Sequence, residues 1–249
     1  MTKKSALGIF FRIPLYGRVK KRLAAEIGED AAFKAYKSML NVTIDNVSRL
    51  QGMDICGFYE GEITSLNPSS PPFNSPLYRG ARLPSVGQGY RGVKGGPGGF
   101  RRKIPLHPQQ GNNLGEKMSN AIQWLFQKGY DRVLLIGADS PDLPLPFITE
   151  AFENLDSYSL VIGPSEDGGY YLIGMNKPFD IIFKDINWGH ENVLAGTVSK
   201  AKAAGISYFL LPEWYDIDDL NGLNRWKLKN LRRCEQRDTP NDVSPLVSV

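Results

Sequence analysis

At residues 132–144 the chain reads RVLLIGADSPDLP. Its first part, residues 132–138, is an almost continuous apolar run rather than an alternation of apolar and polar side chains. Such a run is typical of a strand in a parallel sheet whose two faces are both covered by helices. Asp139 follows directly, and two prolines stiffen the turn that comes next. We therefore expect a buried strand that delivers a carboxylate to the edge of an α/β sheet.

Shorter apolar runs recur on both sides of this stretch, separated by segments with helical spacing of their apolar residues. They predict strands at residues 6–11, 53–59, 160–163, 170–175 and 206–211, and helices at residues 29–50, 113–129, 146–155, 191–204 and 219–231. Asn113 with Glu116 three residues later is a capping-box-like helix start. The alternation predicts one α/β domain, with a mostly parallel central sheet and helices on both faces.

A segment at residues 62–108 interrupts this pattern, inside a predicted domain that spans residues 5–232. It is rich in proline, glycine and serine, and from residue 65 to residue 103 it has seven basic residues and no acidic one. Such a composition buries too little apolar surface to offset the entropy of ordering the chain. We expect a flexible basic insertion here, and a disordered tail at residues 233–249.

The insertion also accounts for the basic character of the chain. Residues 65–103 contribute a charge of +7 to a total of +4, so the remainder carries −3. The folded part therefore gives no reason to expect a polyanionic partner. If nucleic acid binds at all, we expect RNA to bind through the arginine- and glycine-containing insertion.

The overall composition excludes several classes of protein. A hydrophobic fraction of 41% over 249 residues is that of a globular protein. The longest apolar runs are far shorter than the roughly 18 residues of a membrane span, and we expect no secretory signal at the N-terminus. Cys56 lies in an apolar run and Cys234 in a polar one, which favours reduced thiols and a cytoplasmic protein. Neither histidine has the spacing of a zinc ligand.

Acidic residues follow two of the predicted strands. Ligands of open α/β sheets bind beyond the carboxyl ends of the strands, where Asp139, Asp142 and Asp218 are expected. Carboxylate oxygens suit Mg²⁺ or Mn²⁺, and such an ion would neutralise a bound diphosphate. The same residue types also cap turns and helices, so capping remains an alternative at Asp142 and Asp218.

A second candidate site, GPSEDGGYY at residues 163–171, also follows a strand. Glu166 and Asp167 offer a carboxylate for base catalysis or for sugar hydroxyls. Gly168 and Gly169 allow the backbone to approach a ligand closely, and Tyr170 could stack on a sugar or base. Asp-Gly is also a strong signal for a β-hairpin turn, and both interpretations can hold together.

The third candidate, RIPLYGRVKKR at residues 12–22, follows the first strand and contains five basic residues. Basic side chains at the end of a strand can bind phosphates by charge and by the fork geometry of arginine. A solvated charged surface is the alternative.

Four segments in this order resemble a known family: FRIP with GRVKKRL, QQG with LGEKM, GADSPDLP, and GPSEDGGYYLIG. They are similar to bacterial glycosyltransferases with the GT-A, or nucleotide-diphospho-sugar transferase, fold, some of which are named for arsenosugar biosynthesis. The resemblance covers residues 6–59 and 109–224. It implies a Rossmann-like domain that binds a nucleotide-sugar donor, a small-molecule acceptor and Mg²⁺ or Mn²⁺.

The resemblance also implies roles for individual residues. Asp139 and Asp142 would bind the metal and diphosphate, and Asp167 and its neighbours would face a sugar or the acceptor. Lys20 and Arg22 match the basic pair of the family. The other residues predicted to bind nucleotide or substrate within the shared segments are Arg12, Pro14, Gly17, Gly115, Gly168, Gly169 and Tyr170.

Two alternatives to a glycosyltransferase remain open. A nucleotidyltransferase would use the same fold to bind a nucleoside triphosphate and a small phosphorylated acceptor, and the basic first loop favours it. A non-catalytic protein that binds RNA through its insertion is the other.

Overall fold

Seven strands and six α-helices form within residues 3–61 and 104–235, the part of the chain that the computed structural model describes. In chain order they are β1 (Ser5–Arg12), α1 (Lys21–Ile27), α2 (Glu29–Val47), β2 (Asp54–Glu60), β3 (Leu106–Pro108), α3 (Leu114–Gln127), β4 (Arg132–Gly137), α4 (Leu145–Asn154), β5 (Leu160–Pro164), β6 (Tyr170–Met175), α5 (Val193–Ala203), β7 (Tyr208–Leu210) and α6 (Leu220–Glu235). A short 3₁₀ helix, Asp180–Phe183, precedes α5.

The strands form one sheet in the order β3-β2-β1-β4-β6-β5-β7. Strand β1 pairs in parallel with β2 and β4, and β5 pairs in parallel with β7. Only β6 among these strands runs the other way, antiparallel to β4 and β5. The predicted mostly parallel α/β sheet is confirmed.

The central position of β4 in the sheet explains why its sequence is continuously apolar. Leu134 and Ile136 pack in one core cluster with residues of α2 and α4, and Val133 and Leu135 pack in the cluster on the opposite face with residues of α3. None of these four side chains is more than 3% exposed. Burial of apolar surface on both faces therefore fixes the strand at the centre of the domain.

A third cluster joins the first and the last helix of the domain. Leu23 of α1 packs with Leu223 and Trp226 of α6, and Tyr215 and Ile217 lie between the helices. This packing holds the start of the first helix against the segment that precedes the last one.

Some predicted boundaries differ from the structure. The predicted insertion ran to residue 108, whereas Leu106–Pro108 form β3 and pair with residues 57–59 of β2. Three residues are too few to show a strand pattern in sequence. Helix α1 was not predicted, because its basic residues suggested a loop. Helix α6 continues to Glu235, past the predicted start of the tail.

The remaining predictions about the insertion and the tail, residues 62–103 and 236–249, lie outside the described residues. RNA binding by the insertion therefore stays a prediction. Among the described helices, none combines the length and apolar character needed to cross a membrane.

The hairpin between β5 and β6 confirms the turn predicted from Asp-Gly. The amide of Ser165 donates to the carbonyl of Gly169 at 3.1 Å, and the amide of Gly168 donates to the carbonyl of Ser165 at 3.0 Å. Gly168 has a φ of +85°, and a Cβ atom there would overlap the backbone carbonyl of Glu191. A glycine is required at this position by conformation and by space.

Gly189 provides a matched comparison for Gly168. It has the same φ of +85°, but a Cβ atom there would meet nothing within 4 Å. We expect Gly189→Ala to lower the free energy of unfolding by about 1 kcal/mol, the cost of a left-handed alanine. Gly168→Ala should cost about 2 kcal/mol more, because the methyl group must also displace backbone. Urea denaturation of both variants measures the difference, and equal losses would contradict the packing role of Gly168.

Candidate functional site

A cavity of about 610 Å³ opens at the edge of the sheet where β1 and β4 end. The first loop, the ends of β1 and β4, the start of β6 and the first turns of α3 form its walls. This is the position at which open α/β sheets bind ligands. The cavity is therefore the candidate functional site.

Lys20 lies at the centre of the charged wall. Its Nζ atom is 2.7 Å from Oδ1 of Asp139 and 2.5 Å from Oδ1 of Asp218. The lysine side chain is only 6% exposed, whereas both carboxylates are partly open to solvent. One buried ammonium group thus bridges two acidic residues that lie about 80 residues apart in the sequence, one after β4 and one after β7.

Backbone contacts bring the two carboxylates together. The amide of Ile217 donates to the carbonyl of Asp139 at 2.9 Å, and the hydroxyl of Ser140 donates to the carbonyl of Tyr215 at 2.9 Å. These bonds dock the segment after β7 on the loop after β4. Asp218 consequently lies beside Asp139.

The electrostatic balance keeps Lys20 charged. Burial lowers the pKa of Lys20, but Asp139 and Asp218 raise it by charge and by hydrogen bonding, and the net effect is a raised pKa. Lys20 also has a left-handed backbone, with a φ of 49°. That conformation is uncommon for a residue other than glycine and is often found at functional sites.

A second ion-paired group lies across the cavity. Nε of Arg12 is 2.8 Å from Oε2 of Glu60, and Nζ of Lys117 contacts Oε1 of the same carboxylate. The hydrogen bond from Lys117 and the charge of Arg12 lower the pKa of Glu60 although burial opposes them. The cavity therefore has a cation-carboxylate group at each of two walls.

A solved bacterial protein shares this architecture and just under a third of the sequence. The crystal structure of a protein from Desulfovibrio desulfuricans G20, assigned as a nucleotide-diphospho-sugar transferase, is 31% identical; the match covers 96% of this chain and 90% of that one, with a TM-score of 0.73. The chain belongs to this GT-A-like family. Residues 88–190 also match a family described as uncharacterized proteins conserved in bacteria, DUF2064.

More distant proteins share the fold alone. The 4-diphosphocytidyl-2C-methyl-D-erythritol synthase of Anaerococcus prevotii is 10% identical with a TM-score of 0.56, and the match covers 92% of this chain and 99% of that one. A CMP:2-keto-3-deoxy-manno-octonic acid synthetase complexed with CTP is 8% identical with a TM-score of 0.51, covering 95% and 100%. A comparison with curated proteins found no match.

Part of the predicted site lines the cavity of this GT-A-like protein. The predicted residues that line it are Arg12, Lys20, Arg22, Asp139, Tyr170 and Asp218. Pro14, Gly17, Gly115, Gly168 and Gly169 are predicted binding residues that lie outside this lining, and so are the predicted acidic residues Asp142, Glu166 and Asp167.

Asp142 belongs to a different group of side chains. Its Oδ2 atom accepts hydrogen bonds from the hydroxyl of Tyr215 at 2.6 Å and from Nζ of Lys229 at 3.2 Å. Its side chain is only 5% exposed. The structure therefore brings Asp218, but not Asp142, together with Asp139.

Glu166 and Asp167 make local contacts. Both oxygens of Glu166 accept hydrogen bonds from Nη1 of Arg225 at 2.8 Å. Oδ1 of Asp167 accepts from the amide of Gly169 at 2.9 Å, within the hairpin turn. Asp167 is also close enough to Asp216 to raise the pKa of that residue.

Gly115 and Tyr170 both contact Trp188. A Cβ atom on Gly115 would lie 2.6 Å from the indole ring, so glycine permits close packing at the start of α3. The rings of Tyr170 and Trp188 meet edge to face with centroids 6.4 Å apart. Burial raises the pKa of the Tyr170 hydroxyl.

Several residues of the site were not identified from the sequence. Glu60 ends β2, one residue beyond the predicted strand, so the rule that placed Asp139 at a strand end also applied to it. Lys117 lies in the LGEKM segment and Tyr36 on the apolar face of a predicted helix, and neither was identified as a site residue. The hydroxyl of Tyr36 accepts from the amide of Arg12 and donates to its carbonyl, both at 2.9 Å, which fixes the start of the basic loop.

Asp216 is an unexpected titrating group beside the site. Burial, and then the charges of Asp218 and Asp167, raise its pKa to about 6, although Lys20 acts in the opposite direction. Because the pKa in the folded protein lies above the ordinary value of 3.8, folding favours the protonated form. The stability that this group contributes is present below about pH 4 and is lost as the pH rises through about 6.

We expect Asp216→Asn to raise the free energy of unfolding at pH 8 by on the order of 1–2 kcal/mol, because the amide avoids the cost of a buried charge. The gain should shrink towards pH 4, where the native carboxyl group is protonated. Urea denaturation at both pH values measures this. The neighbouring variant Asp219→Asn, at an exposed position, is the control. A wild-type stability that equals that of Asp216→Asn at pH 8 would contradict the raised pKa.

Proposed function

We propose that the protein is a metal-dependent glycosyltransferase that uses a nucleotide-diphosphate sugar as its donor. The observation that carries this proposal is that one cavity at the sheet edge combines a basic loop with the paired carboxylates of Asp139 and Asp218. Membership of the GT-A-like family supports it, and the relative from Desulfovibrio desulfuricans G20 is assigned as a nucleotide-diphospho-sugar transferase.

The basic loop supplies the groups that would bind the diphosphate. Its residues Arg18, Lys20, Lys21 and Arg22 all line the cavity. Guanidinium groups bind phosphate oxygens in pairs, and ammonium groups add charge. A cavity of about 610 Å³ falls in the range of small-molecule sites, so it has room for a nucleotide with an attached sugar.

Asp139 and Asp218 fit the requirements of a divalent cation. Mg²⁺ is usually held by one or two carboxylates together with substrate phosphates and water. The two aspartates already place an oxygen atom each on one shared cation, the ammonium of Lys20. Within the described residues no group of three or more His, Cys, Asp or Glu side chains is arranged to hold a metal ion. Phosphate oxygens would complete the coordination in this proposal.

Asp142 does not fit this role, since its carboxylate is buried against Tyr215 and Lys229.

The metal, when bound, would neutralise the charge that develops on the departing diphosphate. Mg²⁺ and Mn²⁺ both suit carboxylate and phosphate oxygens.

The protein side chains would position and deprotonate the acceptor. The acceptor hydroxyl attacks the anomeric carbon, the bond to the diphosphate oxygen breaks, and a carboxylate takes the hydroxyl proton. Of the two predicted catalytic residues, Glu166 is engaged by Arg225. Asp167 lies outside the cavity lining, but its charge acts on Asp216, two residues from the lining residue Asp218, and we propose it for the base role.

A nucleotidyltransferase is the second candidate, because the positive charge of the cavity is concentrated in the first loop. Five of the six basic residues that line it within the described parts of the chain come from residues 12–22, a density that suits a triphosphate. The two functions differ in their products. Incubation with nucleotide sugars should release a nucleoside diphosphate, whereas a nucleotidyltransferase would release pyrophosphate from nucleoside triphosphates. A thermal-shift screen of both compound classes with and without Mn²⁺ selects the substrates to test.

We expect Asp139→Asn and Asp218→Asn to weaken metal-dependent nucleotide binding at least tenfold, because each removes one of the two carboxylates that would hold the ion. Asp219→Asn is the matched control. Asp219 is the next residue after Asp218, and its Oδ1 atom accepts from the amide of Gly222 at 2.8 Å, a bond that the asparagine oxygen can retain.

Calorimetric titration with the nucleotide found in the screen, in the presence of Mn²⁺, measures the affinities. Circular dichroism checks that each variant is folded. Unchanged binding by folded Asp139→Asn and Asp218→Asn would count against the proposed metal site, and an equal loss in Asp219→Asn would indicate a general charge effect.

A further inference from the structure

The ammonium group of Lys20 occupies the position at which Asp139 and Asp218 converge. Its nitrogen lies 2.7 Å and 2.5 Å from one oxygen of each carboxylate. A Mg²⁺ ion shared by the same two oxygens would lie about 2.0–2.1 Å from each. Lysine nitrogen and metal ion would therefore occupy nearly the same space.

The two cations also exclude each other by charge. The Lys20 side chain is almost fully buried, and its ammonium nitrogen contacts both carboxylates. A divalent ion brought within a few ångströms of a buried ammonium group would be repelled, with little solvent screening. The metal can bind these oxygens only after the lysine has moved.

Bound phosphate gives the lysine an alternative partner. Lys20 lines the cavity together with Arg18, Lys21 and Arg22, so a polyphosphate bound there lies within the same group of basic residues. An ammonium group that turns towards phosphate exchanges one anionic partner for another and leaves both carboxylates free. Lys20 has a left-handed backbone and is the N-cap residue of α1, so it lies at the junction between the basic loop and that helix.

We infer that Lys20 is a built-in counter-ion that blocks the metal site of the nucleotide-free protein, so that the divalent metal and the nucleotide bind together rather than metal first. This inference rests on the proposed function, since it takes Asp139 and Asp218 as the metal ligands. It makes Lys20 a positioning residue that couples two ligands. The coupling is reciprocal, because each ligand raises the affinity for the other by the same factor.

The test is a titration of the folded protein with Mn²⁺, in which free Mn²⁺ is measured by electron paramagnetic resonance. Wild-type protein should bind Mn²⁺ weakly alone and at least tenfold more tightly with the nucleotide identified by thermal shift. Lys20→Met keeps an unbranched side chain, one atom shorter, but removes its charge. It should bind Mn²⁺ at least tenfold more tightly than wild type without nucleotide.

Two controls define the site of this effect. Lys34→Met removes a positive charge from an exposed lysine that pairs with Asp30 outside the cavity, and it should bind Mn²⁺ as wild type does. The double variant Lys20→Met/Asp139→Asn should lose the tight binding, because one carboxylate is gone. A larger stabilisation of Lys20→Met than of wild type by Mn²⁺ in thermal unfolding gives an independent measure.

The outcomes separate this inference from the proposed function. If wild type binds Mn²⁺ with nucleotide but Lys20→Met binds it no more tightly than wild type without nucleotide, the counter-ion role is wrong and the metal-dependent function stands. If wild type binds Mn²⁺ equally with and without nucleotide, the coupling is wrong. If no form binds Mn²⁺, both proposals fail.

Discussion

The ion-paired group of Lys20, Asp139 and Asp218 is the constraint on which the candidate site depends. Each member comes from a different part of the chain: the loop after β1, the loop after β4 and the segment after β7. A buried ammonium group is stable only if its charge is compensated. The three segments must therefore meet in this arrangement for the protein to fold with Lys20 inside, and the same arrangement forms the charged wall of the cavity.

The sheet supplies the rigid frame for this group. Strand β4 is buried on both faces, so the position of Asp139 at its end is fixed by the core. The backbone bond from Ile217 to Asp139 and the bond from Ser140 to Tyr215 transfer that position to the segment carrying Asp218. Packing of α1 against α6 also holds the segment of Tyr215 and Ile217, which leads to Asp218, in place. Electrostatics at the site thus rests on hydrophobic burial in the domain.

The hairpin of residues 163–171 illustrates how one segment can serve structure and chemistry together. Gly168 has to be glycine because the backbone of Glu191 passes so close to it, and Asp167 caps the turn through the amide of Gly169. The close approach of the Glu191 backbone explains Gly168 without a ligand. Asp167 nonetheless contributes to the acidic environment that raises the pKa of Asp216 to about 6. Local turn chemistry and the electrostatics of the site therefore act through the same residues.

The sequence by itself determined the α/β class, the long helices, most strands and the place of Asp139 at the end of a strand, because hydrophobic periodicity and strand ends are local properties of the chain. It also identified the basic loop and Asp218 as candidates. It did not reveal β3, which is too short to show a pattern, or Glu60, Lys117 and Tyr36, whose roles depend on partners distant in sequence. Only the tertiary structure decided that Asp218 rather than Asp142 joins Asp139, that Glu166 pairs with Arg225, and that Lys20 lies between the carboxylates. The physical reason is that charge pairing acts over a few ångströms in space, and the distances between separate segments are set by packing of the whole domain.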